Sequence, residues 1–244
     1  MRGKIPWEKA GSKGGALTEW EIDPDRSALV VIDMQRGYVR SDEGVGKTLR
    51  RTAPEVYDYY YGRVSRTVLP NALKLREFFR KHRLEVIYTR MGSQLPGGRD
   101  YPEWSWRRRS PQPPLISGAR DNPAGNVFSK GTPEYEIVDE LKPFPTELVL
   151  DKHSLNPFNS TPWEQLLKNM RVENLVVTGV LTNGAVQSTA WSAADRGYNV
   201  ILVEDACAAY TPAEHESALG DVNFYVTRTA AAVMRDFEPL LTRV

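Results

Sequence analysis

NLVVTGVLTNGAVQSTAWSAAD, residues Asn174 to Asp195, is the stretch on which the reading of this 244-residue chain turns. It reads as an apolar strand ending at Gly179-Val180, a turn through Leu181-Thr182-Asn183, and an Ala-rich helix running to about Arg196. In an open α/β sheet, ligands sit beyond the carboxyl ends of the strands, so chemistry belongs at the turn after this strand. A nucleophile there faces a helix N-terminus, whose free N–H groups and positive dipole end lower a thiol pKa and hold an oxyanion. The residue in that place is Ala185, which has nothing to attack with.

Working outward, Ser27–Met34 (SALVVIDM) and Leu84–Thr89 (LEVIYT) are near-continuous apolar runs, the pattern of strands buried on both faces of a parallel sheet. Glu147–Asp151, Asn199–Glu204 and Phe224–Thr227 complete a set of six strands with Asn174–Val180. Helical spacing marks Val64–His82. Thr161-Pro162 and Thr211-Pro212-Ala213-Glu214 are helix start signals, with the helices running to about Asn169 and Gly220. Pro133–Leu141 reads as a short helix, Ala230–Leu241 as a terminal one, and residues 40–62 as a polar, Tyr-rich connection. Strands alternating with helices predict an α/β fold: a three-layer α/β/α, Rossmann-like arrangement, with a mostly parallel six-stranded sheet and helices on both faces. Residues 1–22 read as an N-terminal arm, flexible or at a subunit contact, and residues 23–244 as a single domain.

Asp33 stands at the carboxyl end of the first strand, where a carboxylate faces the crevice above the sheet; the alternative is an Asx cap of the following loop. Lys152 follows the third strand and can bury its stem while its ammonium pairs with that carboxylate. Residues 91–132 form a long irregular stretch containing Trp104, Trp106 and Arg107–Arg109, which reads either as a solvated basic loop or subunit contact, or as a cover for the site.

Composition narrows the partners. The 32 Lys and Arg against 31 Asp and Glu leave no basic excess for nucleic acid or a membrane surface. The only cysteine, Cys207, excludes an intrachain disulfide and a thiolate metal cluster, and it sits among small apolar residues as a buried thiol would. The N-terminal residues contain no apolar core of a secretion signal and no segment is long enough to span a membrane, so a cytoplasmic protein acting on a small molecule is expected.

Three segments, ALVVIDMQRGYV, LDKHSLNPFNSTPW and VVTGVLTNGAVQSTAWSAADRGYNVILVEDACAA, give the chain its resemblance to the isochorismatase-like, or cysteine hydrolase, superfamily. It is most similar to the branch of ureidoacrylate, biuret and N-carbamoylsarcosine amidohydrolases, from about Asp23 to the C-terminus. The resemblance implies that Asp33 is the general base and acid, that Lys152 stabilises its charge, and that position 185 carries a nucleophilic cysteine in a TN-x-C-V segment, here Thr182-Asn183-Gly184-Ala185-Val186. It implies a cis Val180–Leu181 bond that aims the N–H groups of Leu181 and Ala185 at an oxyanion. Metal-bearing nicotinamidase relatives use an Asp-x-His spacing that His82, His153 and His215 do not match, so no metal and no cofactor are expected. The expected substrate is a small amide or ureide, held by Gln35, Asn156, Phe158 and Asn183 and covered by Trp104 and Trp106. A homo-oligomer, tetrameric by family analogy, is also implied.

The alanine admits three readings. An intact site lacking one sulfur reads as a Cys-to-Ala form of an amidohydrolase, which binds substrate without turnover. A natural isochorismatase-type hydrolase would instead protonate a vinyl ether through Asp33 and bind a dicarboxylate through Arg90 or Arg107–Arg109. A scaffold that kept only the fold would have no use for the Asp33 and Lys152 pair.

Overall fold

A computed structural model describes residues 3–6, 19–95, 98, 100–101, 128–220 and 225–241. Six strands, β3 (Ser27–Ile32), β4 (Glu85–Met91), β5 (Leu148–Lys152), β6 (Asn174–Val180), β7 (Asn199–Ala208) and β8 (Val226–Arg228), form one sheet in the order β5-β4-β3-β6-β7-β8. Every pairing in it is parallel. The chain steps outward from β3 to β5, crosses back to β6 beside β3, and steps outward again. The switch point therefore lies between β3 and β6, and the crevice opens at their carboxyl ends.

Successive side chains alternate across the sheet, so each central strand feeds two cores. Leu29 and Val31 of β3 and Ile201 and Val203 of β7 face one layer with Tyr60, Phe79 and Phe237. Val30 and Ile32 of β3 and Val200 and Leu202 of β7 face the other with Trp163, Val186 and Ala190. The first layer is built by α3 (Pro54–Arg63), α4 (Leu69–Lys81) and α8 (Ala230–Leu241), and the second by α5 (Trp163–Asn169) and α6 (Gln187–Asp195). This is the three-layer α/β/α arrangement, with helices on both faces of the sheet.

Several local expectations need correction. Residues 40–62 are not a plain connection: after α1 (Arg36–Val39) they contain α2 (Gly44–Thr52) and α3. The tyrosines that look polar in sequence are the apolar stripe, since Tyr60 and Tyr61 are buried next to Val64 and Val68. The helix read as starting at Val64 thus starts at Pro54 and passes through a π turn at Val64–Val68, just ahead of Pro70, which has no N–H to donate. The short helix expected at Pro133–Leu141 is two 3₁₀ turns, Pro133–Tyr135 and Asp139–Leu141, separated by extended backbone where Ile137 bridges to Gln35. β7 runs on past Glu204, because the acidic Glu204-Asp205 pair that resembles a stop signal sits within a bulge: Val177 pairs with Leu202, but Gly179 already pairs with Cys207. In the stretch read as an arm, β1 (Gly3–Pro6) pairs antiparallel with β2 (Glu19–Ile22).

β6 lies against the backbone of β3 at Gly179, whose φ is +118° and where an added Cβ would lie 2.0 Å from the Ile32 carbonyl oxygen. No L side chain fits, and the contact is with backbone, which cannot swing away. Gly197 also has a positive φ, +86°, but stands in open space. Gly179→Ala is expected to cost about 3 kcal/mol or more, and Gly197→Ala only about 1 kcal/mol. Urea unfolding of the two variants side by side measures the difference; equal losses would mean that β6 can move off β3.

Candidate active site

Asp33 leaves β3 with a left-handed backbone, φ 50°, rare for a residue other than glycine. That turn is held from β4: the Asp33 N–H points at both the carbonyl and the hydroxyl oxygen of Thr89, each at 3.2 Å. The carboxylate receives two further bonds, from Thr89 Oγ1 to Oδ1 at 2.6 Å and from Lys152 Nζ to Oδ2 at 2.7 Å. Lys152 also donates to the Ser154 carbonyl at 3.1 Å. Three neighbouring strand ends thus deliver one buried ion pair, with Lys152 fully enclosed and Asp33 1% exposed.

Burial pushes the Asp33 carboxyl up from its ordinary value, opposed by the charge and hydrogen bond of Lys152 and by the Thr89 hydroxyl. Burial likewise pushes the Lys152 ammonium down, opposed by Asp33. The two proton affinities move toward each other, which is what a group that must both take and give a proton requires.

Across the switch point, β6 ends in a cis peptide bond between Val180 and Leu181. Ala185 does not open an α-helix as the sequence suggests. Thr182–Val186 form a wide π turn in which the Gly184 and Val186 N–H groups both bind the Leu181 carbonyl, Gly184 has non-helical φ and ψ of −124° and −109°, and α6 starts at Gln187. Ala185 is 3% exposed and packs with the second core, its carbonyl taken by Thr189 Oγ1 at 2.6 Å. Thr182, at the head of the turn, is buried against His215 Nδ1 at 2.8 Å.

The other expected contacts separate. Gln35 is fully buried, and its amide is spent on backbone: Nε2 donates to the Met91 and Tyr135 carbonyls, and Oε1 accepts from the Met91 N–H. It ties the loop after β3 to β4 and so positions Asp33 rather than presenting a group to substrate. Asn156 caps the turn Pro157–Asn159 through the Phe158 N–H and donates to Ser192 Oγ on α6, so both ends of its amide are also engaged. Phe158 is enclosed by Trp163, Tyr198 and the Arg196 guanidinium; Tyr198 lies in the turn entering β7, at the opposite end of the sheet from the crevice. Asn183 is exposed on the nucleophile turn. Trp104, Trp106 and Arg107–Arg109 lie outside the described residues. Arg90 is already held by Asp151 and Glu136.

Thr89 was missed, although a lone hydroxyl at the end of an apolar strand is a visible signal. Arg63, which bonds to His215, carries no such signal, because nothing in sequence spacing links a Tyr-rich helix to a residue 152 positions away. Cys207 is fully buried and its thiol is pushed up to about 12 by that burial, which makes it a poor nucleophile. Among the described residues, no group of three or more His, Cys, Asp or Glu side chains is placed to hold a metal. No described helix is long and apolar enough to cross a membrane.

Comparison with known proteins agrees with this arrangement. The chain is 29% identical over 211 residues, 84% of its length and 79% of the relative's, to the ureidoacrylate amidohydrolase RutB of Methylorubrum extorquens. A cysteine hydrolase from Pseudomonas syringae shares the fold with a TM-score of 0.73 at 22% identity, covering 93% of this chain and all of that one. The N-carbamoylsarcosine amidase of Thermoplasma acidophilum superposes with a TM-score of 0.60 at 25% identity, over 84% of this chain and 96% of its own. Residues 27–234 match the isochorismatase domain, and the chain belongs to that family of hydrolases.

Proposed function

We propose that this chain is built to hydrolyse the C–N bond of a small amide or ureide through a thiol at position 185, and that Ala185 leaves it able to bind but not to turn over. The observation that carries the reading is the fully enclosed Lys152–Asp33 pair, set at the switch point beside the turn of residues 182–186. A scaffold gains nothing from such a pair, because burying two charges costs several kcal/mol that their attraction only partly returns. Residues 23–244 form the hydrolase domain, and a homo-oligomer in the cytoplasm remains the expected context.

With a thiol at position 185, Asp33 takes its proton and the thiolate attacks the substrate carbonyl. The N–H groups of Leu181 and residue 185 face the developing oxyanion. Protonated Asp33 then gives its proton to the departing ammonia or amine, and afterwards draws one from the water that cleaves the thioester. Lys152 keeps Asp33 anionic against its burial at the start of each cycle. The relatives' names point to ureido and carbamoyl compounds as the substrate class. The dicarboxylate reading is weaker, since Arg90 is already neutralised by Asp151 and Glu136.

Ala185→Cys is expected to create ammonia release from at least one of ureidoacrylate, biuret, N-carbamoyl amino acids, maleamate or nicotinamide, at least about 10³-fold above the unaltered chain. Calorimetry should find the unaltered chain binding that same compound. Absence of turnover from the whole panel, with isochorismate consumed by the chain as it stands, would transfer the site to vinyl-ether hydrolysis.

A second expectation follows from the charges alone. In Lys152→Met, burial acts on Asp33 without a counter-ion, so its folded pKa lies well above the roughly 3.9 of an unfolded aspartate. Between those values the folded state holds more protons than the unfolded state, and stability falls as pH rises. The unfolding free energy from urea titration should drop only modestly at pH 5 but by about 3–5 kcal/mol at pH 8, with Asp33→Asn in the same chain restoring most of the loss. An equal loss at both pH values would mean that the carboxylate reaches solvent.

A further inference from the structure

The buried imidazole of His215 plays no part in the chemistry above, yet it touches the turn that carries position 185. Its helix, α7 (Pro212–Gly220), begins with a capping box: Thr211 N and Oγ1 donate to Glu214 Oε2, and Glu214 N donates to Thr211 Oγ1. That places His215 on the face packed against Thr182–Val186. A second tie, from Gln187 Nε2 to the Ala218 carbonyl at 3.2 Å, joins the same helix to the start of α6.

The ring's hydrogen-bond polarity can be assigned by elimination. Arg63 Nη2 lies 2.7 Å from His215 Nε2. A guanidinium has donors only and stays charged, so Nε2 must be the acceptor. The ring is then neutral with its proton on Nδ1, and that proton is donated to Thr182 Oγ1 at 2.8 Å. Burial first and the Arg63 charge second hold the ring pKa down to about 4. Arg63 is anchored in turn: Nε donates to the Cys207 carbonyl at 3.0 Å and Nη2 to the Glu204 carbonyl at 2.8 Å, one at the end of the β7 bulge and one within it. The charge that bears on the ring is that of Arg63 from α3, and the Glu204 main-chain carbonyl of β7 lies beside it; Asp205 is engaged by the Ala230 N–H and Glu214 by Thr211.

We propose that Arg63 and His215 are positioning residues for the nucleophile turn: Arg63 locks His215 in its Nδ1–H tautomer, and His215 fixes Thr182 and with it the placement of position 185. The consequence for reactivity rests on the thiol reading above, but the lock itself does not. Direction is what distinguishes this chain of bonds from ordinary packing. Each member donates toward the turn, and the Thr182 hydroxyl, once it accepts from the ring, has its own proton directed elsewhere.

Nitrogen-15 spectra of histidine-labelled protein, unaltered in sequence, test the lock. His215 is expected as a neutral Nδ1–H ring from pH 8 to pH 5, and Arg63→Met should release it to a tautomer mixture. An Nε2–H ring or an imidazolium at pH 6 in the unaltered chain overturns the proposal. Positioning is read from the alkylation rate of the thiol introduced by Ala185→Cys, with buried Cys207 as the unreactive internal control. His215→Phe and the isosteric Thr182→Val should each slow that rate about tenfold, while His215→Asn, whose amide can donate near the Nδ1 position, should restore it to within about threefold. An unchanged rate in folded Thr182→Val overturns the positioning role. If the thiol is no more reactive than an exposed cysteine even with Arg63 and His215 intact, the thiol reading of the site fails, and the tautomer spectra still decide the lock.

Discussion

The ion pair of Lys152 and Asp33 is the constraint around which this fold is arranged. A lysine with no exposed surface is tolerable only if its charge is met, and here Asp33 meets the charge and takes one N–H while the Ser154 carbonyl takes a second. Asp33 in turn can reach Lys152 only because its backbone turns left-handed at the end of β3, and Thr89 holds that turn by its carbonyl and its hydroxyl. Gln35 then fastens the outgoing loop to Met91 of β4 with two hydrogen bonds and to the Tyr135 carbonyl with a third. Each layer of support lies further from the charge and is more ordinary chemistry than the last. Removing an inner member strands a buried charge, whereas removing an outer one loosens a loop.

The opposite wall of the crevice is built differently, from backbone rather than charge. β6 must lie hard against β3 at Gly179, and β7 responds by bulging between Leu202 and Cys207. A bulge leaves carbonyls without ladder partners, and in a buried sheet these must be satisfied by something else. Arg63 supplies that, and the π turn ahead of α4 belongs to the same helical run that delivers it. The bulge, the Thr182–Val186 turn and the left-handed aspartate lie together at the carboxyl ends of β3, β6 and β7, whereas the left-handed Arg83 and Arg171 only close helices at the opposite end of the sheet. Such features persist where surrounding packing over-determines them, and they mark this end of the sheet as the working end.

How much of this the sequence discloses depends on whether a signal is local. The strands β3, β4 and β6 are legible because a strand buried on both faces must be apolar throughout, and Asp33 and Lys152 stand out as the charges that end such runs. The start of α7 is legible because a capping box is a four-residue pattern. Where a residue's role is set by a distant partner, reading fails. Asn156 and Phe158 look like loop residues beside a site, but Ser192 and Tyr198 draw them along α6. Tyr60 and Tyr61 look polar, yet their rings fill the first core. Arg63 and His215 carry no local mark at all; only the fold makes them neighbours.

The contrast between position 185 and Cys207 shows what the site must add to a sulfur. Both positions are buried in the second core, one after β6 and one near the end of β7. At Cys207 burial prevails: a hydrogen bond from the Gly179 backbone and the Arg63 charge favour the thiolate, Asp205 disfavours it, and the thiol is held at about 12. Burial in the same core would do the same to a thiol at 185 if nothing else were present. What differs is position within the fold, because the 185 turn faces the carboxyl ends of β3 and β5, from which Asp33 and Lys152 are delivered, while Cys207 faces the Val177 carbonyl across the sheet. Position 185 therefore differs from Cys207 less in its burial than in the strand ends it stands beside, and with Ala185 in place the Asp33 and Lys152 pair is fully formed.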